Sequence, residues 1–329
     1  MIITMAHGSG GKSSNELIEN LFKEKFKNPS LDKLEDAAVL NIEGKKKMAF
    51  TTDSFVVTPL FFPGGDIGKL AVCGTVNDLL MMGAEPKYLT AGFILEEGLE
   101  IEKLERIVDS MAKEAKKAGV MIVAGDTKVI EGKGGLFINT SGIGFIEEGV
   151  EISASGCKPG DAVIISGTLG NHHACILSQR MKIENNIKSD CAVLKDMVQG
   201  MLKAGLKVKA MRDVTRGGLG TIINEIASSS GIGIELKEEA FPVDMNIKGF
   251  CEILGLDPLY MANEGKMVCI VADSDKEKAL EIIKNSEFGE HCAIIGKVVE
   301  GKPVVTLETR LGGRRIIDVL YGEGLPRIC

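Results

Sequence analysis

Five aspartates keep company that charged residues rarely keep. Asp36 precedes the apolar run AAVL, Asp53 ends MAFTTD, Asp78 sits inside TVNDLLMM, Asp126 ends VMIVAGD and Asp213 opens DVTRGG. A buried carboxylate without a partner is costly, so such groups pair with cations or bind metal. Taken singly, each reads as a turn residue or cap at the end of a strand. Taken as a set, they read as a magnesium–nucleotide site, because magnesium takes hard oxygen ligands and accepts bridging phosphates.

Three other segments could carry chemistry. Ala6-His7-Gly8-Ser9-Gly10-Gly11-Lys12-Ser13 is one residue from a P-loop, with Ala6 where the first glycine belongs. It precedes a helical pattern, so its N–H groups could hold a phosphate; it reads equally as a flexible arm. Gly125-Asp126-Thr127-Lys128 and Ala262-Asn263-Glu264-Gly265-Lys266 flank apolar strands, and strand-end loops often hold active-site groups. Lys128 or Glu264 could move a proton if burial tuned its pKa; both also suit surface turns. Cys329 ends the sequence after a loose YGEGLPRI stretch. A tail of about nine residues reaches roughly 30 Å, so its thiol could carry a covalent cargo, and Arg327 favours the thiolate. On the residues alone, a terminal cysteine without a role remains the simpler reading. His172, His173 and Cys175 lack a second ligand cluster and read as non-metal residues.

These groups need elements to place them. Residues 13–27 have a capping box, Ser13 with Glu16, and an apolar face of Leu17, Leu21, Phe22 and Phe26. Strands are expected at 37–42, 48–53, 120–124 and 136–146, and helices at 66–82 and 100–118. The turn-rich stretch 149–161 separates a second unit, with strands at 162–166, 267–273, 292–299 and 303–307. Its helices are expected near 171–182, 190–204, 217–229 and 275–285. The order mixes strand pairs with helices and lacks regular βαβ alternation, which favours two α+β domains over a doubly wound sheet. The domains expected are 1–148 and 149–319, followed by a mobile tail, 320–329.

Composition excludes several classes. A net charge of −7 and the absence of Trp leave neither a basic face nor stacking platforms for nucleic acid. No apolar run approaches the roughly 20 residues of a membrane span, and the N-terminus lacks a signal-peptide pattern, so the expected compartment is the cytoplasm. The eight cysteines contain no C-x-x-C pair, which excludes a zinc ribbon and makes most of them buried fillers.

The segments HGSGGK, EDAAVL, TTDSFVVTPLFFPGGDIGKLAVCGTVNDLL, FILEEGL, GDTKV, NTSGIG, RDVTRGGL, NEGK and PRIC follow one another in this order across essentially the whole chain. This succession resembles the HypE family of hydrogenase-maturation carbamoyl dehydratases, within the aminoimidazole ribonucleotide synthetase and selenophosphate synthetase (PurM-like) superfamily. The resemblance implies an N-terminal domain whose strands form a β-barrel across a homodimer, a C-terminal α/β domain, and ATP between them. It implies Asp36, Asp53, Asp78 and Asp213 as magnesium–phosphate carboxylates, and Asn77, Asp126 and His7, Gly8, Gly10 and Gly11 as nucleotide-facing residues. It implies proton handling by Lys128 and Glu264, and Cys329 as the modified thiol. A HypF-type carbamoyltransferase would load Cys329, ATP-dependent dehydration would give a thiocyanate, and a HypC–HypD-type complex would take the cyanide to the iron of a nickel–iron hydrogenase. Two departures stand out: Val214 where the family often has Pro, and Asn171-His172-His173 where Asp-His-Gly is common. A P-loop NTPase, a selenophosphate synthetase and a non-enzymatic carrier are the alternatives. Ala6 and the absent βαβ alternation count against the first, and the lack of Cys in HGSGGK against the second.

Overall fold

A computed structural model describes residues 12–17, 19–20, 35–41 and 47–319. The His7–Gly11 loop, the 320–329 tail and Cys329 lie outside the described residues. So does most of the expected helix 13–27, of which α1, Lys12–Leu17, is described.

Among the described residues, two main sheets account for the chain in sequence order. The first contains β1 (Ala38–Asn41), β2 (Lys47–Phe55), β5 (Ala84–Glu96), β6 (Met121–Ile130) and β7 (Leu136–Ile146), ordered β1-β2-β7-β5-β6. Only the β5–β6 pairing is parallel within it. A two-residue pair, β3 (Phe61–Phe62) and β4 (Gly65–Asp66), leads into α2, Ile67–Met81. The Asp66 carboxylate caps α2 by accepting from the Gly68 and Lys69 amides. Almost every residue of α2 is buried, because the helix lies on the inner face of β2, β7 and β5, against α3 (Ile101–Ala118), and reaches the second sheet.

The second sheet is ordered β14-β13-β10-β12-β8-β11-β9. Its strands are β8 (Ala162–Ile165), β9 (Val208–Asp213), β10 (Gly233–Lys237), β11 (Met267–Val271), β12 (Ala293–Val299), β13 (Val305–Glu308) and β14 (Arg314–Ile317). The all-apolar runs AVII and MVCIV are buried on both faces, which is why they show no alternation. Helices α4 (Asn171–Met181), α5 (Lys195–Lys203), α6 (Gly218–Ser230), α7 (Met245–Leu254) and α8 (Lys276–Lys284) complete this half.

Three expectations are corrected. Residues 84–96 form a thirteen-residue strand that the pattern did not announce: Pro86 sits at a bulge, and Gly92 interrupts the β-branched and aromatic run. Strand β6 runs to Ile130, so Gly125-Asp126-Thr127-Lys128 lies within a strand and not on a strand-end loop. The helix expected from residue 190 begins at Lys195, because the Ala192 carbonyl and the Leu194 amide are taken by Asn77 of α2.

Candidate functional site

Where the two halves meet, α2 brings its acidic turn against the first sheet. Inward residues of β2 alternate as Ala49, Thr51, Asp53 and Phe55, so Thr51 and Asp53 face the helix. A Cβ on Gly74, one turn before Asp78, would lie 2.8 Å from the Phe55 ring, so the absence of a side chain at position 74 makes room for that ring, with Asp53 Oδ2 beside it at ordinary contact distance. Thr51 Oγ1 stands 2.8 Å from Asp78 Oδ2 and 3.2 Å from the Asp36 carbonyl oxygen. One hydroxyl thus ties the Asp36 backbone to α2.

The second half supplies the opposite wall. Asp213 ends β9 and stands opposite Met267 in the β9–β11 register, three residues past Glu264. Burial pushes the Asp78 carboxyl well up, and the charges of Asp213, Asp53 and Asp36 push it further. Asp213 is raised by burial and then by Asp36, against the opposing pull of Arg212. Glu264, 4% exposed, is raised well above the ordinary range by burial and then by Cys191, Asp213, Asp53 and Asp190. Asp36 is raised by burial in spite of Arg212, whose Nη1 donates to Asp36 Oδ1 at 2.6 Å. Its other oxygen, Oδ2, is buried without a hydrogen-bond partner.

The structure therefore gathers Asp36, Asp53, Asp78, Asp213 and Glu264 from five separated segments into one cluster of mutually repelling carboxyls. The chemistry of the set is oxygen-only and over-supplied with negative charge, which suits a hard cation carrying phosphates. Among the described residues no three carboxylate, Cys or His side chains converge closely enough to hold a metal by themselves. Phosphate oxygens and water are the ligands such a set leaves to be supplied, and magnesium is ordinarily held by one or two carboxylates with substrate phosphates.

Other expected residues stand elsewhere. Asn77 is clamped into the seam: its amide donates to the Ala192 carbonyl at 2.9 Å, and its carbonyl accepts from the Leu194 amide at 2.9 Å. Both ends of its carboxamide thus hold the halves together. Asp126 and Lys128 pair with each other at 2.5 Å, both exposed. Asp126 aligns with Gly92, Asn139 and Ser54, one residue out of step with the row holding Asp53, so it projects from the opposite face. Three strand spacings, roughly 14 Å, also separate it from β2. Within one chain neither residue meets Glu264. Arg212, Asp190 and Lys266 are charged groups at the seam that sequence reasoning did not single out. Arg212 and Lys266 lie inside quoted motifs, whereas Asp190 in KSDCAV carried no signal.

The comparisons with known proteins match this architecture. Residues 34–146 match the AIR synthase related protein N-terminal domain family, and residues 158–308 the corresponding C-terminal domain family. The chain is 49% identical over 332 residues to the carbamoyl dehydratase HypE of Cupriavidus necator, covering 99% of this chain and 95% of that one. It superposes with a TM-score of 0.87 on a chain of a HypE–HypF complex, at 49% identity, covering 92% of this chain and 99% of that one. A HypE structure in complex with ATP gives 0.83 at 46% identity, with both chains covered completely.

Proposed function

Because the chain belongs to the HypE family of carbamoyl dehydratases, within the AIR synthase related proteins, we propose that its buried acidic seam dehydrates a carbamoyl group carried on Cys329 to a thiocyanate, at the expense of ATP. The observation that carries this reading is Glu264: a buried carboxyl that feels Asp213, Asp53 and Asp190 at the junction of two family domains.

A HypF-type partner loads the carbamoyl group on the Cys329 sulfur; relatives of this chain are known in complex with HypF and with ATP. The carbamoyl oxygen attacks the γ-phosphorus, ADP departs, and the nitrogen gives up one proton. The carbon–oxygen bond then breaks, phosphate leaves, and loss of the second nitrogen-bound proton gives S–C≡N. Asp36, Asp53, Asp78 and Asp213 are the residues that would hold magnesium with the phosphates, and when bound the ion screens charge on the transferred group. Glu264, in an environment that favours its neutral form, is suited to exchange protons with an uncharged amide; Arg212 and Arg216 face Asp213 and balance the wall. Cyanide passes to a HypC–HypD-type acceptor.

Lys128 and Asp126 enter this reading through a second copy of the chain. The outer face of the first sheet exposes Phe50, Tyr88, Ile94 and Phe145 beside the exposed β6 edge. We assign that face to a homodimer in which the facing sheets close a barrel and Lys128 of one copy serves the site of the other. Residues 1–148 take nucleotide binding, with the His7–Gly11 loop, and dimerisation; 149–319 form the second domain, and 320–329 carry the Cys329 thiol. No described helix is long and apolar enough to cross a membrane, and we place the protein in the cytoplasm.

The test is ADP release by protein carbamoylated with its partner. Release should require the carbamoyl group and vanish in Cys329→Ala; equal release without the adduct would contradict the reading.

A further inference from the structure

The segment bearing Glu264 is held from one side by a buried ion pair that the dehydration scheme does not use. Glu264 N–H donates to Asp190 Oδ1 at 3.2 Å. Two residues on, Lys266 Nζ lies 3.4 Å from Asp190 Oδ2, with the two side chains 7% and 6% exposed. The same ammonium donates to the Gly265 carbonyl at 3.2 Å. Asp190 thus holds residue 264 by a hydrogen bond through Oδ1 and faces the residue 266 ammonium through Oδ2, which is buried and has that charge contact without hydrogen-bond geometry. The Ala192 amide adds a third tie by donating to the Glu264 carbonyl at 3.2 Å. Gly265 fits beneath this grip only without a side chain: a Cβ there would lie 1.9 Å from the Asp190 carbonyl oxygen and 3.0 Å from the Ala192 amide nitrogen.

From the other side the same segment is fastened to the strand that carries Asp213. Val214 N–H donates to the Lys266 carbonyl at 2.8 Å, and Asn263 N–H donates to the Val214 carbonyl at 2.8 Å. Asn263 Oδ1 accepts from the Gly170 amide at 2.8 Å. The Asp190–Lys266 pair therefore closes a brace running from the 190–194 segment, which Asn77 pins to α2, through Glu264 to Val214 beside Asp213. The brace fixes the spacing between the Glu264 carboxyl and the carboxylates of both halves.

We propose that Asp190 and Lys266 are positioning residues for the dehydration, holding Glu264 at its working distance from Asp213 and from Asp53 of the first half. The inference rests on the dehydratase reading. A displacement of about 1 Å in a reacting group lowers turnover by as much as ~100-fold. Binding of ATP, made through other residues, is left as it was, so the effect falls on the rate and not on the nucleotide concentration needed.

The experiment follows water loss from carbamoylated full-length protein by mass spectrometry, in single turnovers across ATP concentrations. Wild type is the control: if it loses no water, the dehydratase reading fails and the brace is not at issue. With wild type active, Asp190→Asn should slow the maximal rate ~10- to 100-fold while leaving the half-saturating ATP concentration within about twofold. Lys266→Arg, which retains the charge, should keep most of the rate. Breaking a buried pair can unfold a protein, so the apolar double variant Asp190→Leu/Lys266→Met is measured in parallel, since such replacement is often neutral for stability. A purely structural pair predicts that stability and rate recover together in the double variant; the positioning role predicts that the rate stays low in a protein that melts like wild type. A wild-type rate in any folded variant lacking the Asp190 carboxylate overturns the proposal.

Discussion

Arg212 and Asp36, 176 residues apart in sequence, meet at 2.6 Å across the seam between the halves. The guanidinium also stands 3.9 Å from Glu225, and only 7% of its side chain is exposed. It is a cation enclosed by carboxylates, and burial disfavours every charge it balances. Arg212→Met would strand Asp36 and Glu225. The expected loss is about 3–5 kcal/mol in a urea unfolding experiment, with partial recovery in Arg212→Met/Asp36→Asn. A single-variant loss below about 1 kcal/mol would show that the pair contributes little.

Asp78 illustrates the opposite balance. Its ionised form is disfavoured by burial and by three neighbouring aspartates, and the Thr51 hydroxyl relieves it in part. Asp78→Asn removes the repulsion and can still accept from Thr51. The variant should melt at or above the wild-type temperature while ATP-dependent turnover falls by ~100-fold or more, the usual opposition of stability and function at a charged site. A variant that melts lower and still turns over would contradict the assigned role.

His173 gives a pH dependence away from the acidic cluster. Burial, then the charges of His172 and Arg180, lower its pKa to about 3. In the unfolded chain it titrates near 6.5, so between these values the unfolded state binds the extra proton. Stability therefore falls as pH drops from about 6.5 toward 3, by up to ~1.4 kcal/mol per pH unit from this group. His173→Phe should flatten that part of the stability profile. An unchanged slope would mean that the ring is protonated in the folded protein.

The homodimer is tested at Ile94, which is exposed on the outer sheet face and paired with Lys128 in the β5–β6 register. A charge there opposes burial against a second copy. On the proposed dimer, wild type should sediment as a dimer, and Ile94→Asp should sediment as a monomer and lose turnover. A fully active monomer would remove Lys128 of a partner from the chemistry.

Much of this was legible in the residues because several signals agreed. Asp36, Asp53, Asp78 and Asp213 each interrupted an apolar run, and the fold collects all four with Glu264. Helix α2 was readable from length and apolarity, with Asp66 as its cap. Strand β5 was not, since Pro86 and Gly92 dilute its pattern and its support comes from pairing with β6 and β7 over long sequence separations. Asn77 adjoins Asp78 in the chain. On a helix, adjacent positions point about 100° apart, and Asn77 turns instead to the 192–194 backbone. Asp190 gave no cue because its task depends on two residues more than seventy positions away.

The most direct measurement is the mass of the peptide ending in Ile328-Cys329, taken before and after ATP and magnesium are added to carbamoylated protein. The account predicts loss of the mass of one water from wild type, and an unchanged carbamoyl adduct in Glu264→Gln over the same interval. Persistence of the adduct in active, ATP-supplied wild type, or equally fast water loss in Glu264→Gln, would contradict it.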